Sequence, residues 1–170
     1  MNSISNVVTF QNKGEMDLRG ITTFGVCAKE TDNPIGYFGT GLKYAIAVLL
    51  RENHTITIWC GKKKHKMCIK KSKMRGKEFE FCRRNRIDLP FTTELGKNWK
   101  LWQAFREIYS NTKDEFDSHI TDDPSIKPAK GLTTIKIEGE QFHNLYLNIN
   151  SIILKTKPIY EYKDLEVHEG

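Results

Sequence analysis

The chain has no apolar run long enough to cross a bilayer. The longest, Ala45 to Leu50, falls far short of the roughly 20 residues a spanning helix needs. The opening MNSISNVVTF carries no basic start followed by a long apolar block, so nothing in it reads as a secretory signal. Cysteine is scarce: Cys27, Cys60, Cys68 and Cys82 form no Cys-x-x-Cys pair, and no histidine stands at zinc-finger spacing from two of them. That excludes the common zinc and dithiol frameworks and leaves reduced, structural thiols as the expectation. No glycine loop ends in Gly-Lys-Ser/Thr, so a Walker loop is absent. Internal repeats and low-complexity blocks are also missing. A cytoplasmic protein without membrane contact is the expectation.

What is present is enough for a core. Hydrophobic residues make up 38% of 170 residues and aromatics 11%, which argues against a disordered chain. The net charge of +6 is placed unevenly. Gly61 to Arg86 holds 12 Lys/Arg against Glu78 and Glu80, a local net of +10, while the remainder holds 15 basic and 19 acidic residues, a net of −4. One segment, and not the whole fold, is therefore basic.

Patterning predicts the elements. Val7 to Phe10 reads as a strand and Asp17 to Phe24 as a short helix. Leu42 to Arg51 (LKYAIAVLLR) is rich in helix formers and apolar on most sides, a buried helix. Thr55 to Cys60, Lys66 to Lys70 and Glu78 to Cys82 alternate with period two and are separated by Gly-containing turns, an antiparallel meander with one face wet. Phe79 and Phe81 alternate with Glu78 and Glu80, which suits a core face better than base stacking. Asn98 to Phe116 reads as a second helix with Asn98 as its cap. Trp102, Phe105, Tyr109 and Phe116 share one face of it, and Glu107, Asn111 and Asp114 the opposite one. Ser118 to Gly131 reads as a loop. Thr133 to Ile137, Leu145 to Ile149 and Ile152 to Leu154 read as further strands. The expected architecture is α+β, a two-layer sandwich of a mostly antiparallel sheet with helices on one face. One domain spans 1–159, with a frayed, charged tail over 160–170.

Two motifs carry chemistry. Gly36-x-x-Gly39-x-Gly41-Leu42-Lys43 runs directly into the first strong helix. Glycines let a backbone approach closely, and a helix start presents unpaired N–H donors with a positive partial charge, which together suit a polyphosphate. Taken alone, the loop is as well explained by tight packing of a buried helix. In the second helix, Glu107-x-x-x-Asn111-x-x-Asp114 sets three polar groups along one stripe; alone, that is an ordinary solvated face.

Together the two motifs resemble the gyrase, histidine-kinase and MutL (GHKL) superfamily, whose Bergerat fold binds ATP. Ile35 to Lys43 resembles the lid motif that closes over the triphosphate, Phe24 to Lys29 the segment leading into it, and Glu107 to Asp114 the N-box. Val7 to Gly14 resembles the strand and Asp-x-Gly turn that reads adenine, with Asn12 where the family has Asp. Asn12 accepts a hydrogen bond but carries no charge; Glu138 is a remote candidate for the missing carboxylate. The order is rotated, with turn and lid first and N-box last, as in a circular permutation. Chain ends that lie close together make this physically reasonable.

The resemblance implies an ATP-binding protein, a slow Mg²⁺-dependent ATPase or a nucleotide-gated switch. ATP and Mg²⁺ are the implied cofactors. Glu107 would polarise the attacking water and Asn111 would ligate Mg²⁺. Asn12, Gly14, Gly36, Gly39, Thr40, Gly41, Leu42, Lys43 and Asp114 would contact nucleotide, with the loop around Asn33-Pro34 as the moving part. The chain has no room for an ordinary phospho-acceptor or transducer domain, so kinase or topoisomerase activity within it is not expected; a partner protein or DNA would complete the system, and a homodimer is the other arrangement the resemblance implies. The alternative is a small basic regulator or inhibitor that binds nucleic acid through 62–84, or binds protein, and keeps the fold without turnover.

Overall fold

The computed structural model describes residues 6–23, 40–153, 160–162 and 165–167. Seven strands form one antiparallel sheet: β1 (Val7–Lys13), β2 (Thr55–Cys60), β3 (Lys63–Met74), β4 (Lys77–Arg84), β5 (Ile87–Thr92), β6 (His119–Thr121) and β7 (Leu132–Glu138), in the spatial order β5-β4-β3-β2-β7-β1-β6. The helices are α1 (Arg19–Thr22), α2 (Gly41–Arg51), α3 (Leu101–Lys113) and α4 (Glu140–Leu147).

Register sorts the side chains. Val8 pairs with Ile137 and Phe10 with Ile135; the same two β7 residues pair with Ile56 and Ile58 of β2. Cross-strand partners share a face, so these residues form one apolar surface, and it is the surface the helices cover. Phe10 meets Phe105 of α3 at 5.9 Å and Phe142 of α4 at 6.1 Å between ring centroids. Ala45, Ile46, Ala47, Val48, Leu49 and Leu50 of α2 are all buried in the same core. Arg51, at the end of α2, donates to the carbonyls of Thr93 (2.7 Å), Gly96 (3.4 Å) and Trp99 (3.3 Å), tying that helix to the segment that leads into α3. The two-layer α+β sandwich read from the sequence is the observed architecture.

Several local expectations are corrected. β2 has the predicted bounds, β3 and β4 are longer than predicted, and β5 follows them as a fourth strand. β5 contains Pro90, which a strand accommodates at an edge where no ladder donor is needed, and β5 is the edge. Within the predicted loop 118–131, His119–Thr121 pairs with β1. Leu145 to Ile149 is not a strand: α4 ends at Leu147 and Ile149–Ser151 is a 3-10 turn. The alternation there is outweighed by the burial of Phe142 and His143 against the core, which a helix provides. Ile152 and Ile153 are likewise outside any strand, and Leu154 lies outside the described residues. α3 begins after Lys100 and not at Asn98; the Lys100 N–H donates to Gln103 Oε1 at 2.8 Å, satisfying the helix start. Phe116 lies beyond α3 and is exposed. The tail pairs as a hairpin, β8 (Tyr160–Tyr162) with β9 (Leu165–Val167).

The far side of the sheet is different in character. Between β1 and β7 it is crossed by the segment 122–131: Lys136 Nζ donates to Ile126 O (2.5 Å) and Gln11 Nε2 to Lys127 O (3.3 Å). On β2, β3 and β4 the same side carries Trp59, Lys64, Lys66, Lys70, Lys77, Phe79, Phe81 and Arg83 by register. Phe79 and Phe81 are half-buried and face away from the helix layer, while their neighbour Cys82 is fully buried toward it. The expectation that these two rings belong to a core face is therefore reversed. Among the described residues no helix covers this part of the sheet.

Candidate functional site

α2 and α3 pack side by side, and this brings the two sequence motifs into contact. Gly41 opens α2. A methyl group built on it would come within 2.1 Å of Glu107 Oε1 and 2.5 Å of Oε2. The Glu107 carboxylate thus lies directly against the first turn of α2, in space that only glycine leaves vacant. A helix start carries a positive partial charge, a favourable setting for an anion.

One helical turn on, Asn111 Nδ2 donates to Glu107 Oε1 at 2.7 Å. A carboxylate accepts only, so this bond fixes the amide orientation: nitrogen toward Glu107 and the carbonyl oxygen on the other side. Both side chains are half-buried. Thr40 precedes α2 as its N-cap residue and Leu42 follows Gly41, so both belong to the same corner. Asp114 ends α3, its N–H donating to Ser110 O at 2.9 Å.

Lys43 is placed differently from the phosphate-facing role. Its side chain is fully buried and Nζ donates to the Gly20 carbonyl of α1 at 2.8 Å. Burial pulls its pKa down. Lys43 therefore joins α2 to α1 from within. Asn12 is buried on the helix-facing side of β1, opposite Thr133, and its Nδ2 donates to Lys13 O at 2.9 Å. Gly14 follows with φ 95°, its N–H donating to Gly131 O at 2.8 Å. The Lys13 N–H donates to Phe116 O at 2.9 Å, so the β1 turn sits beside the C-terminal end of α3. Glu138 lies at the opposite end of the β1–β7 ladder from Asn12, paired with Val7. Gly36, Gly39, Asn33, Pro34 and the lead-in Phe24 to Lys29, with Cys27, lie outside the described residues.

The remaining cysteines are free thiols. Burial pushes the Cys82 thiol up to about 12 and raises that of Cys60 as well, so neither is a ready nucleophile. Among the described residues, no group of three or more His, Cys, Asp or Glu side chains is gathered to hold a metal. Two open clefts occur elsewhere, one lined by Val7, Pro124, Lys136 and Glu138 and another by Tyr109, Lys113, His119 and Tyr146; neither is lined by Glu107 or Asn111. No helix of the described residues is long and apolar enough to cross a membrane.

Reading motifs one at a time did not reveal the Gly41–Glu107 contact. The available signal was a glycine at a helix start together with a carboxylate in mid-helix on a partner. Comparison with known protein families, with curated proteins and with solved structures finds no match for this chain.

Proposed function

We propose that this protein binds ATP with Mg²⁺ in a GHKL-type site between the start of α2 and the polar stripe of α3, and hydrolyses it slowly or uses it as a switch. One observation carries the reading: the Glu107 carboxylate rests on Gly41 at the start of α2 while holding Asn111 by a 2.7 Å hydrogen bond. Gly41 of the lid-like stretch and Glu107 of the N-box-like stretch are far apart in sequence, yet they lie in contact.

The donor set fits the implied cofactors. Mg²⁺ takes oxygen ligands, keeps several waters, and needs only one or two protein groups besides substrate phosphates. The Asn111 carbonyl oxygen, turned to the side away from Glu107, would be such a ligand. Bound Mg²⁺ supplies neutralisation of the phosphate charge that develops during transfer. In this reading Glu107, positioned by Asn111, is the group that would orient the attacking water. Asn12 and Asp114 lie toward the C-terminal end of α3, where the base would be read. Lys43 supports α2 through Gly20 and is not assigned to phosphate.

The test is thermal unfolding with and without Mg²⁺ and a non-hydrolysable ATP analogue. At 100 times its Kd a ligand adds about 2.7 kcal/mol, which for a chain of this size raises Tm by roughly 5–10 °C. Asn111→Ala should lose most of that shift. Glu107→Gln should keep it and lower hydrolysis by about 10²–10⁴. No shift in the native chain, or a full shift in Asn111→Ala, removes the assignment.

A further inference from the structure

We infer that the side of the sheet over β2, β3 and β4 that no helix of the described residues covers binds single-stranded nucleic acid, with Trp59, Phe79 and Phe81 stacking on bases between lysines that track the phosphates.

Strand alternation has sorted the basic segment by charge. Lys64, Lys66, Lys70, Lys77 and Arg83 share the uncovered side with the acidic residues Asp88 and, at the far end of β7, Glu138, while Glu78 and Glu80 point to the helix side beside Lys71 and Lys73. Lys71 is spent on that side, at 3.5 Å from Glu80 and 3.9 Å from Glu78. On the uncovered side Asp88 takes Lys70 at 3.4 Å and Arg83 at 2.5 Å. Lys64 and Lys66 are exposed, and Lys64 Nζ sits 5.6 Å above the Trp59 ring. The aromatic groups are spaced along the same surface: Phe79 and Phe81 have ring centroids 6.5 Å apart, and Lys77 Nζ lies 5.4 Å from Phe79.

A uniform basic face would suit any polyanion. Rings interleaved with lysines on a sheet surface favour a strand whose bases are unpaired, because only those offer a π-face to the protein. The Phe79 and Phe81 rings are 6.5 Å apart with planes inclined at 63°, so they are two differently oriented platforms and not one continuous surface. In a duplex the bases are stacked and paired, and the aromatic groups would gain nothing. This surface lies across the sheet from Glu107 and Gly41, so its binding is separable from the nucleotide reading.

The experiment is fluorescence anisotropy of the full chain, without nucleotide, against a labelled oligothymidylate of about 20 nucleotides and a duplex of equal length, in salt from about 50 to 200 mM. Single strand should bind at least tenfold tighter than duplex. Two matched charge reversals locate the surface. Lys64→Glu with Lys66→Glu alters the uncovered side and should weaken binding more than tenfold, flattening the log–log salt slope by about 1.4. Lys63→Glu with Lys73→Glu makes the same change in net charge on the helix side and should leave affinity within about threefold of the native chain. Phe79→Leu with Phe81→Leu keeps apolar bulk but removes the rings, and should cost single-strand binding alone. Equal binding of duplex, equal loss in both lysine pairs, unchanged affinity in the leucine variant, or no saturable binding at low salt each overturns the inference.

Discussion

At the residue scale, Gly41 and Glu107 are mutually constrained. The atoms a Gly41 methyl would strike belong to the end of a flexible side chain, and alanine is a better helix former than glycine by about 1 kcal/mol. Gly41→Ala should therefore fold at least as well as the native chain, with Glu107 swung off the start of α2. Circular dichroism melting should show an unchanged or slightly raised Tm without ligand, and the ATP hydrolysis proposed above should slow at least tenfold. A variant that keeps full turnover would mean the contact is packing alone. Lys43 makes the contrasting case. It is fully buried, so its truncation would leave a cavity and remove the bond to Gly20, and a loss of activity there would not distinguish a phosphate ligand from a structural tie.

At the element scale, α3 is held by one aromatic cluster. Phe105 meets Phe10 at 5.9 Å, Phe142 at 5.3 Å and Tyr109 at 6.3 Å, joining α3 to β1 and α4. Phe105→Ala should cost about 3–5 kcal/mol by urea unfolding. Trp102→Ala, on the exposed side of the same helix with 40% of the residue accessible, should cost less than about 1 kcal/mol. Equal costs would mean the helix is seated differently. The same helix explains what the sequence disclosed. α2 and α3 were legible because burial on one side imposes a helical period on their apolar residues, and the polar stripe of Glu107 and Asn111 came with it. β5 was not legible, because Asp88 and Pro90 disguise a strand that only an edge position permits. α4 was masked by Leu145-Tyr146-Leu147-Asn148-Ile149, whose local alternation competes with the burial of Phe142. The orientation of Phe79 and Phe81 was accessible in principle: once Cys82 is inside, strand alternation turns Phe81 outward. Period two shows that a strand has two faces, but only a neighbour's register tells which of them the helices cover.

At the scale of the whole molecule, two buried histidines tie the sheet to pH. His65 lies on the helix-facing side of β3, opposite Ile58, with 5% of the residue exposed and neither ring nitrogen bonded within the described residues. Burial lowers its pKa, and Arg84 and Lys63 lower it further. His54 is also lowered, chiefly by burial, against smaller opposing effects from the Glu138 backbone and the Glu52 charge. A histidine whose pKa is depressed in the folded state is neutral there while the unfolded chain still takes up a proton. Stability is therefore full above the unfolded value of about 6.5 and is lost as pH falls from there toward the folded values. Each such histidine contributes at most about 1.4 kcal/mol per pH unit within that window. The urea midpoint should hold steady from about pH 8 to 7 and drop between about pH 6.5 and 5.5. His65→Leu should remove part of that drop, since leucine fills the site and takes no proton in either state. A midpoint that is flat through the acid window, or a leucine variant with an unchanged slope, would show that His65 is protonated equally in both states and that the helix-facing side of β3 admits charge.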